Sequence, residues 1–323
     1  MATEEMTPLK YVEYGGRVTA PGEFDCRGGH FRGFVLKADK DKLTEQIDQM
    51  FNATGRHGLT FRVLSEYVLM LVGWFDEVQA MRAPYDAMGV VREEQLSIWI
   101  PVGVGRDSDD FVAERLMTAC PFIFVDNPMS YAGGRETYGY PKSLGRFTFP
   151  HGADGEMTVA TYGGNFGDKA AWHPIISMRP SGAEPEAEGE QELVGEEEFI
   201  KDLTGLDPNQ ESILPGGLRI IEQAIRDAIA GQSHQLFLKQ FRDAQEPGVA
   251  CYQEHITAPI QMRNTRAKLR WKKWDIEFTD FESHPICGDL GLPPKQSTRK
   301  TYGMTMDFVC GLGSPVTTDL LDE

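Results

Sequence analysis

The sequence predicts an antiparallel, β-rich α+β domain. Three observations carry this expectation. Stretches with strand character recur along the chain, at Phe31 to Leu36, Leu59 to Phe75, Gln95 to Val104, Glu156 to Tyr162 and Trp274 to Phe278. Helical patterns do not alternate regularly with them, so a doubly wound parallel sheet does not fit. No repeat of solenoid length is present. With 323 residues and 36.1 kDa, one large domain spanning 1–323 can bury a substantial core. It carries an N-terminal arm over about 1–20 and an acidic, flexible insertion over about 181–200.

Each element has a local reason. After the arm, Phe31 to Leu36 reads as a strand. Asp39 offers an N-cap to a helix on which Leu43, Ile47, Met50 and Phe51 recur at helical spacing. Leu59 to Phe75 has a nearly continuous apolar centre, which predicts burial on both faces. In Gln95 to Val104, Ile98, Ile100 and Val102 fall on one side and Trp99 on the other. Pro101 within it argues for an edge strand or a bulge. Residues 109–118 read as a short helix and Phe122 to Val125 as a short strand. The glycines, prolines and asparagine of Asp126 to Gly145 predict mostly loop. Ser181 to Glu198 has almost no large apolar residue and reads as a mobile surface excursion. Ile220, Ile221, Ala224, Ile225, Ala228 and Ile229 form one stripe of a helix over Leu218 to Ile229, ended by Gly231. From Gln235 onward strand patterns return, with Trp274, Ile276 and Phe278 alternating cleanly.

Charge excludes some partners. The 32 lysines and arginines against 49 aspartates and glutamates give a net charge of −17. A surface of that sign repels phosphate backbones, so no nucleic-acid or membrane partner is expected. Eight of the glutamates lie between Glu184 and Glu198. The longest apolar run, Tyr67 to Phe75, is far short of the ~20 residues of a membrane helix. The N-terminus has neither the basic start nor the apolar stretch of a secretory signal. Five widely spaced cysteines suggest reduced thiols in a cytoplasmic protein.

Several chemical motifs fail on inspection. Gly163 to Gly167 is a glycine-rich stretch with no Gly-Lys-Ser/Thr after it, and a β-turn explains it. Cys251 with His255, and His284 with Cys287, lack further ligands at zinc spacing, so no metal site is expected. No Gly-X-Ser-X-Gly elbow is present. The basic run Arg263, Arg266, Lys268, Arg270, Lys272 and Lys273, interleaved with Trp271 and Trp274, could touch RNA or another anion. It reads more simply as the solvated face of a strand matched to the acidic stretch.

The informative segment is Gly133-Gly134-Arg135-Glu136-Thr137-Tyr138-Gly139-Tyr140-Pro141-Lys142-Ser143-Leu144-Gly145, preceded by Asp126-Asn127-Pro128. Lys142 follows a proline and lies among tyrosines and a leucine. In an apolar pocket a lysine loses its proton more readily and can attack a ketone to form a Schiff base. The plain alternative is a surface lysine in a turn.

Gly-Arg-Glu, three further residues, then Tyr-Pro-Lys-X-Leu-Gly resembles acetoacetate decarboxylase and its superfamily, whose lysine at the position of Lys142 is the Schiff-base nucleophile. The stretch from Phe34 to Leu43, Gln95 to Val102, Phe237-Leu238-Lys239 with Pro247 and Cys251, and His284 to Leu292 are also similar, so the likeness spreads over about residues 20–295. It implies a strongly curved antiparallel sheet, a conical β-barrel, and homo-oligomers. It implies a lyase acting on a small keto acid or ketone by decarboxylation or by aldolase/dehydratase chemistry. No cofactor is implied, because the lysine itself is the electron sink. The alternative is a catalytically silent relative that binds a small ligand in the same place.

Three departures accompany the resemblance. The family's second lysine, next to the nucleophile, is Ser143 here, leaving Arg135 as a replacement cation. The family's early arginine falls on Gly29, with Arg27 and Arg32 as nearby substitutes for holding a substrate carboxylate. Of two family glutamates, one matches Glu94, with Glu93 as the fallback, and the other falls near Met70. The resemblance therefore names Lys142 and Glu94 as catalytic, and Arg27, Arg32, Arg135, Tyr138 and Tyr140 as substrate-binding candidates.

Overall fold

The computed structural model describes residues 11–12, 19–54, 58–108, 110–181, 190–192, 232–270, 272–298 and 301–321. In chain order the elements are β1 (Phe24–Lys37), α1 (Lys40–Ile47), β2 (Leu59–Val63), β3 (Tyr67–Ala80), β4 (Val91–Arg106), β5 (Arg115–Val125), α2 (Pro128–Thr137), β6 (Lys142–Thr148), β7 (Pro150–Ala153), β8 (Met157–Gly163), β9 (Ala171–Pro180), β10 (Glu190–Glu192), β11 (Gln232–Arg242), β12 (Ala250–Arg270), β13 (Trp274–Phe278), α3 (Ile286–Leu290), β14 (Lys295–Thr298), β15 (Thr301–Cys310) and β16 (Ser314–Pro315).

Among the described residues, seven strands close on themselves in the order β4-β5-β11-β12-β15-β1-β3, with β3 bonded back to β4. Neighbours around this barrel run antiparallel except β5 and β11. A second run, β6-β8-β9-β13-β14, branches off at β5. The branch point is sharp. On the edge of β5 away from β4, Thr118 and Ala119 pair with β11, and Ile123 to Val125 pair with Lys142 to Leu144 of β6. Lys142 therefore begins β6 where the barrel and the second layer part. This is the strongly curved sheet that the resemblance implied.

Two apolar layers follow from strand alternation. Val68, Met70 and Val72 of β3, with Leu96, Ile98 and Ile100 of β4, face outward and pack on Ile176, Trp274 and Ile276 of the second layer and on α1. Leu69 and Trp99 face into the barrel with Cys120, Ile123, Phe237, Ala258, Ile260 and Cys310. Both faces of β3 are buried, as its apolar centre demands. Asp39 caps α1 through the backbone N–H groups of Asp41 and Lys42, at 2.9 and 3.2 Å, which is worth about 1 kcal/mol. Leu43 and Ile47 are the helix's buried side.

Two local expectations are corrected, and of the edge strand or bulge expected at Pro101 the bulge holds. Among the described residues of 109–118 there is no helix. Arg115 begins β5, because the edge of β4 from Ile100 to Val104 needs a partner for its backbone groups. Pro101 lies in an interior strand, not an edge. A register irregularity between Ile98 and Ile100 against β5 accommodates it. Asp126 to Gly145 is not mostly loop, since it holds α2 and the start of β6. Asn127 caps α2 and Pro128 occupies its first turn, a helix-start signal that the glycines masked.

The predicted helix over 218–229 lies outside the described residues. So do most of the arm and most of 181–200. Within the latter, the backbone of Glu190–Glu192 pairs with Lys268 to Arg270 of β12, so part of the acidic stretch does lie beside the basic strand.

Candidate active site

Lys142 is seated by the turn that joins α2 to β6. Asn127 Oδ1 accepts hydrogen bonds from Met129 N and Ser130 N, at 2.9 and 3.2 Å. At the other end of the helix, the N–H groups of Tyr138, Gly139 and Tyr140 all converge on Gly134 O. Gly139, at φ +87°, makes the reversal. The lysine then runs back across α2 at Gly134. A Cβ at that position would lie 2.8 Å from Lys142 Cδ and Cε. Glycine is needed here for close approach.

Lys142 Nζ ends in a buried polar seat. It donates to Ser130 Oγ at 2.5 Å and lies 3.6 Å from Glu93 Oε1. It also stands 5.3 Å from the centre of the Tyr140 ring. Lys142 is 8% exposed and Glu93 4%. Cys26, Cys120 and Cys310 line the same barrel interior, and burial raises all three thiols, Cys310 to about 11. They are uncharged at neutral pH. Burial likewise raises the Tyr138 and Tyr140 phenols. Tyr138 Oη donates to Gly311 O at 3.0 Å, and Tyr140 Oη donates to Gln235 Oε1. The two rings meet edge-on at 6.0 Å.

The other candidates are not gathered at Lys142. Glu94, adjacent to Glu93 on β4, projects from the opposite face of the strand. It is half-buried, 3.3 Å from Arg92, and its N–H donates to Asp126 Oδ1. Desolvation, then the Asp126 charge, raises its carboxyl. The fallback Glu93 holds the position beside the lysine. Arg27 is on the surface, 2.7 Å from Glu77 and bonded to Gln79 at 3.1 Å. Arg32 is buried, but in the outer layer, where it pairs with Asp154 and lies 5.7 Å from the Trp274 ring. Arg135 is exposed. Its Nη1 donates to the backbone oxygen of Lys142 at 3.0 Å and its guanidinium lies over Tyr131. Gly29 has no room for a side chain, since its Cβ would meet Met306 O at 2.6 Å. Met70 faces the outer core.

Ser143 resolves one departure. Its side chain leaves β6 on the face opposite to Lys142 and is 3.2 Å from His284 Nε2, whose Nδ1 is 3.0 Å from Ser283 Oγ. A lysine at 143 would follow that direction, away from Nζ. The Cys–His pairs go to separate partners. Cys251 is exposed, His255 Nε2 meets Thr54, and Cys287 sits against Asp280. Among the described residues no three His, Cys, Asp or Glu side chains are gathered for a metal, and no helix is long and apolar enough to cross a membrane.

Ser130 was not singled out from the sequence. Its one signal was its place three residues after the capping Asn127, where a first-turn side chain lies beside the helix end that Lys142 approaches.

Residues 30–166, which include Glu93, Ser130 and Lys142, match the family model for acetoacetate decarboxylase. No curated protein matches the sequence. Among solved structures, acetoacetate decarboxylase from Legionella pneumophila subsp. pneumophila str. Philadelphia 1 is similar at 11% identity and a TM-score of 0.57, covering 97% of this chain and 93% of that one. An acetoacetate decarboxylase-like enzyme from Sphingomonas wittichii RW1 is similar at 12% identity and a TM-score of 0.51, with 98% and 99% covered. The enduracididine biosynthesis enzyme MppR, in complex with the condensation product of pyruvate and imidazole 4-carboxaldehyde, is similar at 10% identity and a TM-score of 0.53, with 98% and 99% covered. Residues 30–166 thus resemble the acetoacetate decarboxylase family, and the chain shares the fold of acetoacetate decarboxylase-like proteins.

Proposed function

We propose that the protein is a Schiff-base lyase in which Lys142 attacks the carbonyl carbon of a small ketone or keto acid. The observation that carries this reading is the seat of Nζ, buried with a hydroxyl at 2.5 Å and a carboxylate at 3.6 Å. Glu93 takes a proton from the ammonium, which frees the nitrogen lone pair. The amine adds to the carbonyl, and one nitrogen-bound proton passes to the new alkoxide oxygen to give the neutral carbinolamine. Glu93 then returns the proton to the carbinolamine oxygen, which leaves as water and yields the iminium. Ser130 holds Nζ at a fixed point while this happens. The iminium then accepts the electron pair of a bond broken at the adjacent carbon. Water finally hydrolyses it and restores Lys142. These steps need no cofactor, because the iminium is the electron sink.

A catalytically silent ligand-binding relative is the second reading. One observation favours it: among the described residues no guanidinium is directed at Nζ. Borohydride trapping tests both. The protein is incubated with acetoacetate, pyruvate or acetone, then reduced and mapped by peptide mass spectrometry, with Lys142→Ala as control. Reduction of an iminium on Lys142 supports the lyase, and the trapped mass tells whether CO2 left first. No adduct at Lys142 with any of the three favours the silent relative.

A further inference from the structure

We infer that the carbonyl compound taken by Lys142 is uncharged, a ketone or aldehyde with an apolar substituent, and not a keto acid. The inference rests on the Schiff-base reading above. It starts from the charge balance around Nζ. Once the iminium forms, its single positive charge is matched by the carboxylate of Glu93, 3.6 Å from Nζ and 4% exposed. A carboxylate on the substrate would be a second negative charge within a few ångströms of Glu93. Buried charges are tolerated only when paired.

No described residue supplies that pairing. Arg27 is matched by Glu77 on the surface, and Arg32 by Asp154 in the outer layer. Arg135 is exposed and spends an N–H on the Lys142 carbonyl. Lys239 leans on the Tyr252 ring, in the field of Glu136 and Glu254. The interior itself is apolar or neutral. Leu69, Trp99, Ile123, Phe237 and Ile260 line it, with thiols that burial holds protonated.

Decarboxylation requires the carboxylate that this site disfavours. Aldol cleavage and loss of water do not. In cleavage of a β-hydroxy ketone, the hydroxyl proton goes to Glu93 and the carbon–carbon electron pair goes to the iminium, releasing an aldehyde. In dehydration, an α-proton goes to Glu93 and the resulting enamine expels the β-hydroxyl, which takes that proton and leaves as water. Either sequence balances without an oxidant or reductant.

A matched pair tests the inference. Benzylacetone is compared with its α-keto acid, in which a carboxylate replaces the methyl group. Trapping rates at Lys142 under borohydride are divided by the rates for free butylamine, which removes the difference in carbonyl reactivity. Benzylacetone should be favoured by at least about tenfold, the least that two like charges a few ångströms apart impose in a buried site. Glu93→Gln should shrink that preference. Equal or faster trapping of the keto acid at Lys142 overturns the inference and leaves the Schiff base standing. No adduct at Lys142 with either compound, nor with acetone, pyruvate or acetoacetate, overturns the Schiff base and the inference with it.

Discussion

Gly134→Ala is the substitution that separates the seat of the lysine from the stability of the fold. The new Cβ would lie 2.8 Å from Lys142 Cδ and Cε, and 3.2 Å from Nζ, whereas ordinary contact begins near 3.4 Å. The lysine chain must therefore move by about 0.6 Å (3.4 − 2.8). It is flexible, so it swings aside at about 0.5–1.5 kcal/mol of rotamer strain. Alanine returns up to about 1 kcal/mol because position 134 lies within α2. The two nearly cancel, and the urea midpoint should change by less than about 1 kcal/mol equivalent. Trapping should not be spared. Misplacing a reacting group by about 1 Å costs up to about 100-fold, so a loss of about 10-fold or more is expected as Nζ leaves Ser130 and Glu93. Gly133→Ala is the control. Its Cβ would meet only Ala20 backbone atoms, at 3.9 Å, so trapping should persist. If Gly134→Ala trapped benzylacetone or acetoacetate at the wild-type rate, the hydroxyl and carboxylate seat would be irrelevant to the amine.

The remaining predictions use the same assays. Glu93→Gln should slow trapping by about 100-fold, while Glu94→Gln should stay within about twofold, because general acid–base partners contribute about 10²–10⁴ and only Glu93 faces Nζ. Arg27→Ala should leave trapping within about twofold, since its partners are Glu77 and Gln79 on the surface. Ser143→Lys should leave trapping intact and lower stability by about 1–3 kcal/mol, because it breaks the contact with His284 and directs a charge into the second layer. Burial lowers the His284 pKa, so the unfolded chain binds that proton more readily. The resulting stability is complete above the ordinary histidine pKa of about 6.5 and is lost as pH falls below it. His284→Gln should therefore reduce the fall in urea stability between about pH 7 and pH 5. An unchanged slope would remove His284 from that account.

Strand character was legible wherever side chains alternate or both faces are buried, as in β3, β4 and β13. The capped α1 was legible because Asp39 and the spacing of Leu43 and Ile47 agree. What misled was glycine. Gly133, Gly134 and Gly139 look alike in sequence, yet only Gly139 makes a turn. Gly134 is helical, and its missing side chain is filled by the lysine. Tertiary packing of this kind leaves no periodic trace. Arg115 to Thr118 read as helix for a similar reason, since their strand state is imposed by the edge of β4. Lys142 itself was legible through its Tyr-Pro-Lys-X-Leu-Gly setting. Ser130 was not, because a serine in a first helical turn is ordinary.

Choosing between adjacent residues needed the strand parity that only pairing fixes. Glu93 and Glu94 differ by one position, as do Lys142 and Ser143, and in each pair one side chain faces Nζ while the other faces away. The arginines show the point most sharply. Arg27 and Arg32 are five apart, so strict alternation along β1 would turn one of them into the barrel. The register of β1 against β15 is broken between Cys26 and Gly29. Gly28 sits there at φ +63°, and its N–H donates to Asp307 Oδ1 at 2.8 Å. The irregularity inverts the alternation, so Cys26 and Phe31 both face the interior. Arg27 and Arg32 consequently both face out, to Glu77 and to Asp154. With one residue inserted on β1, neither arginine faces the lysine's surroundings, and the same arrangement that leaves Glu93 as the counter-charge argues for an uncharged substrate.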